Sequence, residues 1–383
     1  MRLLIVSHTA HYRSGSTIVG WGPTVIEISH LAKLFEEIIH IGCFYEGPAP
    51  ASALPYRTED IRFIPVRPSG GGTSKDKLGV IRHLPEYINA IRPALPEVDA
   101  IHIRCPANIS LVALLLLFFV QRPPVRWIKY AGNWRPDGRE AWSYWLQRRL
   151  LRWNAPRGAV TVNGQWPDQP RHIHSFLNPC LEDEEIEHGR RAARGKQIAH
   201  PLNILYVGAV SSAKGAGRLL AIARRLCELG VPFEMHLVGG GKEQAVFEAQ
   251  SQTDGLSAQV TFHGWLPKPK LADFYAQAHF LILPSETEGW PKAVSEAMAY
   301  GAVPITSAVS SLPQALSHSQ AGMTVAIDDI AGYIQAIRDY AEHPADWKAA
   351  SQAGITYAAQ FTYAQYLGAV RHLFYDTWQI QLP

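Results

Sequence analysis

No Cys-x-x-Cys pair, no Asp-x-Asp pair and no apolar run of membrane-spanning length occurs in the 383 residues. The four cysteines, Cys43, Cys105, Cys180 and Cys227, stand far apart. That spacing argues against a structural zinc site and a disulfide framework, and it fits a reducing compartment. The one long apolar run, LVALLLLFFV at 111–120, falls short of the roughly 20 residues a membrane helix needs and reads as a buried helix. The two signs of charge nearly balance, 36 Lys and Arg against 33 Asp and Glu. A net charge of +3 is a mild basic excess without the clustered Lys/Arg footprint of nucleic-acid binding. With 47% hydrophobic and 18% charged residues, and no low-complexity block longer than SGGGTS at 69–74, disorder is excluded as well. The opening MRLLIVSH reads as a first strand rather than a signal peptide.

What is present is a repeated strand and helix pattern. In the first half the β-rich runs are RLLIVSH, IIHIGCF, IRFIPV, AIHIR, VRWIKY and AVTVN, and helical patterns lie between them. Continuously apolar strands of this kind predict a parallel sheet covered on both faces. The composition then turns charged and small from Cys180 to Pro201, and the pattern restarts with NILYVGA, FEMHLVG, QVTFHG, FLIL, AVPITS and MTVA. The fold class is therefore α/β, with two tandem doubly wound Rossmann-like domains facing across a cleft. The expected domains are 1–180, a linker at 181–201, 202–360, and a final helix in 361–383 that crosses back to the first domain. Loops after the strands would line the cleft.

One loop carries most of the chemistry. FLIL is a buried strand, PSETEGW a turn-rich loop, Pro291 suits the first position of the helix KAVSEAMAY, and Gly301 ends it as a left-handed cap. Glu288 then sits at a helix mouth and Glu296 in its second turn, eight positions on. Such a spacing arises roughly once by chance in a chain of this length, so the context has to decide. A helix mouth with N–H groups from Gly289, Trp290 and Lys292 favours a phosphate or a hydroxyl-rich ligand. A carboxylate there can accept sugar hydroxyls or steady positive charge on an anomeric carbon.

PSETEGWPKAVSEAMAYGAVPITS, followed by SSLPQAL, resembles the signature of the retaining family 4 glycosyltransferases of the two-Rossmann-domain (GT-B) type. The likeness covers most of 203–320 and, more loosely, the whole chain. It implies that Glu288 lies near the transferred sugar and that Glu296 binds the nucleotide ribose. In LYVGAVSSAKGAGRLL it implies that Lys214 takes the diphosphate, beside Gly208 at the strand end. Glu286, Gly289, Trp290, Pro291 and Lys292 fall on the donor side by the same likeness, with Trp265 and Leu266 placed for the base and Gly22 on the loop after the first strand. Gly239, in the Gly239 to Gly241 run, is either a ligand approach or simply a tight turn.

The sequence departs from the family in three places. Ala209 follows Gly208 where many members carry arginine, Pro291 stands where many have a second glycine, and KYAGNW at 129–134 lacks histidine. Lys129 and Asn133, with Arg104 and Asn108 of RCPANIS, are the acceptor-side candidates by position. No metal ligand set stands out and no cofactor is expected, because the nucleoside diphosphate sugar is itself a substrate. The implied activity is retaining transfer of a hexosyl or related sugar to a hydroxyl acceptor on a glycan, a lipid-linked molecule or a small molecule. Alternatives are a sugar-nucleotide epimerase or phosphorylase on the same fold, or a catalytically silent sugar-nucleotide-binding protein.

WSYWLQRRLLRW, 142–153, places Trp142, Trp145 and Trp153 at helical spacing among Arg148, Arg149 and Arg152. It reads either as an amphipathic helix packed on its domain or as one resting on an anionic membrane surface. The expected localisation is cytoplasmic, with the inner membrane face as the site of any peripheral contact. No nucleic-acid partner is expected.

Overall fold

The run LLIV near the start of β1 (Arg2–Ser14) is fully buried, and its side chains alternate between two cores. Leu3 and Ile5 join one and Leu4 and Val6 the other, the period of two that a strand imposes. The structure, a computed structural model, describes residues 1–70, 74–136, 138 and 140–383. Gly71, Gly72 and Thr73 of the SGGGTS block lie outside the described residues.

The chain divides into two compact units, Met1–Leu177 with Gln365–Pro383, and Asn178–Ala364. In the first, β1 is followed by β2 (Thr17–Trp21), β3 (Glu37–Phe44), β4 (Ala53–Pro55), β5 (Ile61–Val66), β6 (Ala100–Cys105), β7 (Val125–Tyr130), β8 (Ala159–Val162) and β9 (Ile173–Ser175). Parallel pairing runs from β5 through β3, β1, β6, β7 and β8 to β9, with β2 and β4 added antiparallel at one side. The helices are α1 (Gly22–Leu31), α2 (Ser74–Ala94), α3 (Asn108–Phe119) and α4 (Trp142–Arg152). One core packs α2 and α3 on the sheet, and the other packs α1 together with Val370 and Phe374 from the C-terminal segment. The loop expected after the first strand, ahead of Gly22, is instead the β1–β2 hairpin, in which His11 to Ser14 pair antiparallel with Thr17 to Gly20, and Gly22 opens α1.

The second unit opens with α5 (Asp183–Ala193) and contains β10 (Leu202–Val207), β11 (Phe233–Val238), β12 (Val260–Gly264), β13 (Phe280–Leu283), β14 (Val303–Ser307) and β15 (Met323–Val325). Its other helices are α6 (Ala216–Glu228), α7 (Gln244–Thr253), α8 (Lys268–Gln277), α9 (Lys292–Ala299), α10 (Leu312–Ser319), α11 (Ile330–Glu342) and α12 (Pro344–Ala358); α13 (Tyr363–Trp378) begins at the unit boundary. The six strands are parallel in the order β12-β11-β10-β13-β14-β15. Strand order reverses between β10 and β13, which makes the carboxyl ends of those two strands the switch point where α/β sheets form their binding crevice.

Two stretches differ from the sequence reading. Residues 181–201 are not an open linker: Glu182 and Glu185 form a capping box at the start of α5, and Ile186, Gly189 and Ala193 are buried. Charge hid a helix whose inner face is small. The run 111–120 lies in α3 up to Phe119, and the helix buries Val112, Ala113, Leu114 and Leu117 but leaves Leu115, Phe118 and Phe119 exposed. No helix among the described residues is long and apolar enough to cross a membrane.

Candidate functional site

The loops after β10 and β13 meet because the strands are parallel neighbours, pairing Ile204 with Phe280 and Leu205 with Leu281. Backbone contacts then lock the loops together. Glu286 N–H donates to Ala213 O at 3.0 Å, and Arg218 Nη1 donates to Pro284 O at 3.3 Å. Gly215 has φ +83, and a Cβ on it would stand 2.1 Å from Pro284 O. Only glycine permits both the left-handed turn and this approach.

The product of that clamp is an ion pair. Lys214 Nζ donates to Glu288 Oε1 at 2.6 Å, the carboxylate side chain being 10% exposed and the lysine 35%. Tyr206 lies beside them, its hydroxyl bonded to Ala209 O at 2.7 Å; burial, and then the Glu288 charge, raise its pKa. Helix α9 starts just past Glu288, with Pro291 as its N-cap rather than its first helical residue, so the N–H groups of Lys292 and Ala293 open the helix. The site therefore joins a carboxylate, an ammonium group and the positive end of a helix dipole.

The neighbouring side chains hold this arrangement rather than project from it. Trp290 is buried and stacks on Phe361 at 4.8 Å with 8° between the planes, and its Nε1–H donates to Ser295 Oγ at 2.8 Å. Ser310 Oγ donates to Gly289 O at 2.9 Å. Glu286 is exposed and bonded to Arg218 Nη2 at 3.2 Å, while Arg218 Nε reaches Asp328 Oδ1 at 2.8 Å. Glu296, one turn into α9, accepts from Tyr275 OH at 2.7 Å. Burial, then the Glu296 charge, push the Tyr275 hydroxyl well above its ordinary pKa, so it stays a donor. Trp265 is exposed and Leu266 half-buried on the loop after β12.

Gly208 and Gly239 approach each other. Gly239 has φ +130, and a Cβ there would lie 1.9 Å from Gly208 O. The close neighbour of Gly239 is thus the chain itself.

In the first unit the acceptor-side candidates are engaged. Glu27, buried on α1, accepts from Arg104 Nη1 at 2.8 Å, Lys129 Nζ at 2.7 Å and Tyr366 OH at 3.0 Å on one oxygen, and from Arg104 Nη2 at 3.1 Å on the other. Burial opposes the Arg104 charge, but Glu27 outweighs it and raises the pKa. Asn108 Nδ2 donates to Ser69 O at 3.2 Å, and Asn133 Oδ1 accepts from the Arg135 N–H at 3.0 Å. Gly22 N–H donates to Ser52 O at 3.0 Å, and a Cβ would meet Ser52 O and Leu54 Cδ1 at 2.9 Å, so its bare face accommodates the segment leading into β4. Among the described residues no group of three or more His, Cys, Asp or Glu side chains could hold a metal ion.

Sequence reasoning missed Tyr275, Arg218, Glu27 and Tyr366. Arg218 stands four positions after Lys214, in the first turn of α6, a nearness in sequence that could have flagged it. The others carry no local signal, since their partners lie far along the chain.

Residues 192–357 match the family described as Glycosyl transferases group 1. The D-inositol 3-phosphate glycosyltransferase 1 of Catenulispora acidiphila is 28% identical over 208 residues, 51% of this chain and 50% of that protein. The chain spans about half the length, or less, of the curated relatives it matches. Among solved structures, sucrose-phosphate synthase from Thermosynechococcus elongatus superposes with a TM-score of 0.72 at 19% identity, covering 98% of this chain and 100% of that one. Anabaena HepE in complex with UDP and glucose gives 0.67 at 16% identity, covering 98% and 100%. The family match is thus confined to residues 192–357, and the solved structures show that the chain has the GT-B fold.

Proposed function

We propose that this chain is a retaining glycosyltransferase that moves a hexosyl or related sugar from a nucleoside diphosphate sugar to a hydroxyl acceptor, in the cytoplasm and without a metal ion. The observation that carries the reading is the Lys214–Glu288 pair at the mouth of α9, held where β10 and β13 part. Its likeness to a D-inositol 3-phosphate glycosyltransferase and to HepE, which holds UDP and glucose, supports the reading.

In the proposed reaction the nucleotide lies along the carboxyl ends of β10 and β13. Lys214 and the first N–H groups of α9 offset the charge of the diphosphate, which makes it a better leaving group. Glu296, oriented by Tyr275, accepts the ribose hydroxyls. As the sugar–phosphate bond loosens, Glu288 steadies the oxocarbenium-like carbon. The acceptor hydroxyl attacks on the face the phosphate leaves, and its proton passes to the departing phosphate oxygen, so the anomeric configuration is kept. Arg104 and Lys129 support the first unit through Glu27 and leave the acceptor to the loops after β6 and β7.

The test is a panel of nucleoside diphosphate sugars, each followed for nucleoside diphosphate release with and without a chelator, and for the anomeric configuration of the product. Release with at least one donor, insensitive to chelation and with configuration retained, supports the reading. A dependence on inorganic phosphate, or product formed from the sugar nucleotide with no acceptor at all, would move it to a phosphorylase or an epimerase.

A further inference from the structure

The outer face of α4 is aromatic and basic along its whole length. Trp142, Trp145 and Trp153 are 71%, 49% and 65% exposed, while the helix buries Gln147 and Leu151. With about 100° of turn per residue, Trp142, Trp145, Arg149 and Trp153 fall within an arc of roughly 80°, opposite that buried pair. The Arg149 guanidinium lies 5.3 Å from the Trp145 ring centre and 4.4 Å from that of Trp153, so cation and rings form one ladder. An amphipathic helix packed on its domain would turn its large rings inward. This helix does the reverse.

The end of α3 carries a second exposed apolar cluster. Leu115, Phe118 and Phe119 are exposed, Phe119 by 87%. Arg126, buried at the start of β7, ties the end of α3 to the turn that follows α4: its Nη1 donates to Leu117 O at 3.0 Å and to Pro156 O at 2.9 Å, and its Nη2 to Val120 O at 2.6 Å. One nitrogen reaching both carbonyls brings Phe118 and Phe119 to the same end of the unit as Trp153.

Charge decides the partner. Residues 108–127 and 141–163 contain no aspartate or glutamate, whereas Arg122, Arg149, Arg152 and Arg157 are exposed. Arg148 is matched by Glu140. Tryptophan with arginine on one helix face, and no carboxylate to balance it, suits the headgroup layer of an anionic bilayer: the rings settle at the interface and the guanidinium groups pair with lipid phosphates. We propose that the α3–α4 face, carried by Phe118, Phe119, Trp142, Trp145 and Trp153 with Arg149 and Arg152, seats the first unit on an anionic phospholipid surface.

The test is co-sedimentation of the full chain with vesicles of phosphatidylcholine alone or with about 30% phosphatidylglycerol, at low and high salt. Wild type should bind the anionic vesicles at least roughly tenfold more tightly than the neutral ones, and high salt should weaken that binding. Trp142→Ser with Trp145→Ser and Trp153→Ser, and separately Arg149→Glu with Arg152→Glu, should each lose about tenfold or more. Both variants should keep the wild-type melting temperature, because the altered side chains are exposed. Equal binding to both vesicle types, or undiminished binding by either stable variant, overturns the proposal. So does a wild-type dimer in solution that the tryptophan variant converts to monomer, since the face would then belong to a second copy. Binding is read without turnover, so failure here leaves the transfer reading untouched.

Discussion

Lys214 Nζ stands 2.6 Å from Glu288 Oε1, although 74 positions separate the two residues in the chain. The adjacent ends of β10 and β13 bring them together, and the Glu286 to Ala213 backbone bond fixes the distance. In the proposed reaction this cation meets the diphosphate of the donor. Lys214→Met should weaken nucleoside diphosphate binding roughly 10- to 100-fold, the range for hydrogen bonds to charged groups. Isothermal calorimetry checks this; an unchanged Kd removes Lys214 from the diphosphate.

Tyr275 tests the ribose assignment by a different route. Its hydroxyl orients Glu296 from a buried position, so Tyr275→Phe should raise the Kd of a nucleoside diphosphate by about three- to tenfold. Pyrophosphate, which has no ribose, should bind as before. Equal weakening of both ligands would mean that the hydroxyl supports the fold and not the diol.

Gly215 carries the turn that presents Lys214. With φ +83 and Pro284 O 2.1 Å from a would-be Cβ, Gly215→Ala should cost about 1–3 kcal/mol or more, the usual strain of a side chain in this region. A thermal melt reads the loss as a drop of several degrees. No shift would show that the turn relaxes freely.

Acid should destabilise the first unit through its buried histidines. His11 Nδ1 donates to Thr9 O at 2.9 Å, its Nε2 contacts Tyr56 OH at 2.8 Å, and Tyr56 OH in turn meets His40 Nδ1 at 2.6 Å, with His40 Nε2 2.7 Å from Ser7 Oγ. That chain of bonds is complete with both rings neutral. Burial pushes His11 down to about 4, and burial followed by the charges of His11, Arg104 and His102 holds His40 well below 6.5. The unfolded chain takes up these protons near pH 6.5 and the folded one does so only at lower pH, so stability present above pH 6.5 is lost as pH falls toward 4. For His11 alone the loss is on the order of 3 kcal/mol. Urea midpoints measured across that window check it; a flat profile contradicts it.

Much of this was legible in the chain. The twelve apolar runs all became strands, because a parallel sheet buried on both faces needs continuous hydrophobic residues. The loop PSETEGW and the turn SSAKG were readable for the same reason: turn chemistry is local. Tyr275 and Glu27 were not, since TVIEISH looks like any helix with one outward acid until Arg104, Lys129 and Tyr366 close on it from distant elements. The run LVALLLLFFV gives no period from which to tell that Leu115 and Phe118 face outward. Residues 181–201 misled through composition, because α5 needs only Ile186 and small residues to pack, and a Cβ on Gly189 would come within 2.4 Å of Ala299 O.

The most direct measurement is turnover of Glu288→Gln on a donor that wild type accepts, with nucleoside diphosphate affinity taken on the same preparation. If Glu288 steadies the anomeric carbon as proposed, removing its charge should lower turnover by about 100-fold or more, while the Kd stays within roughly threefold or tightens as Lys214 is released from its partner. Wild-type turnover in Glu288→Gln would contradict the account outright.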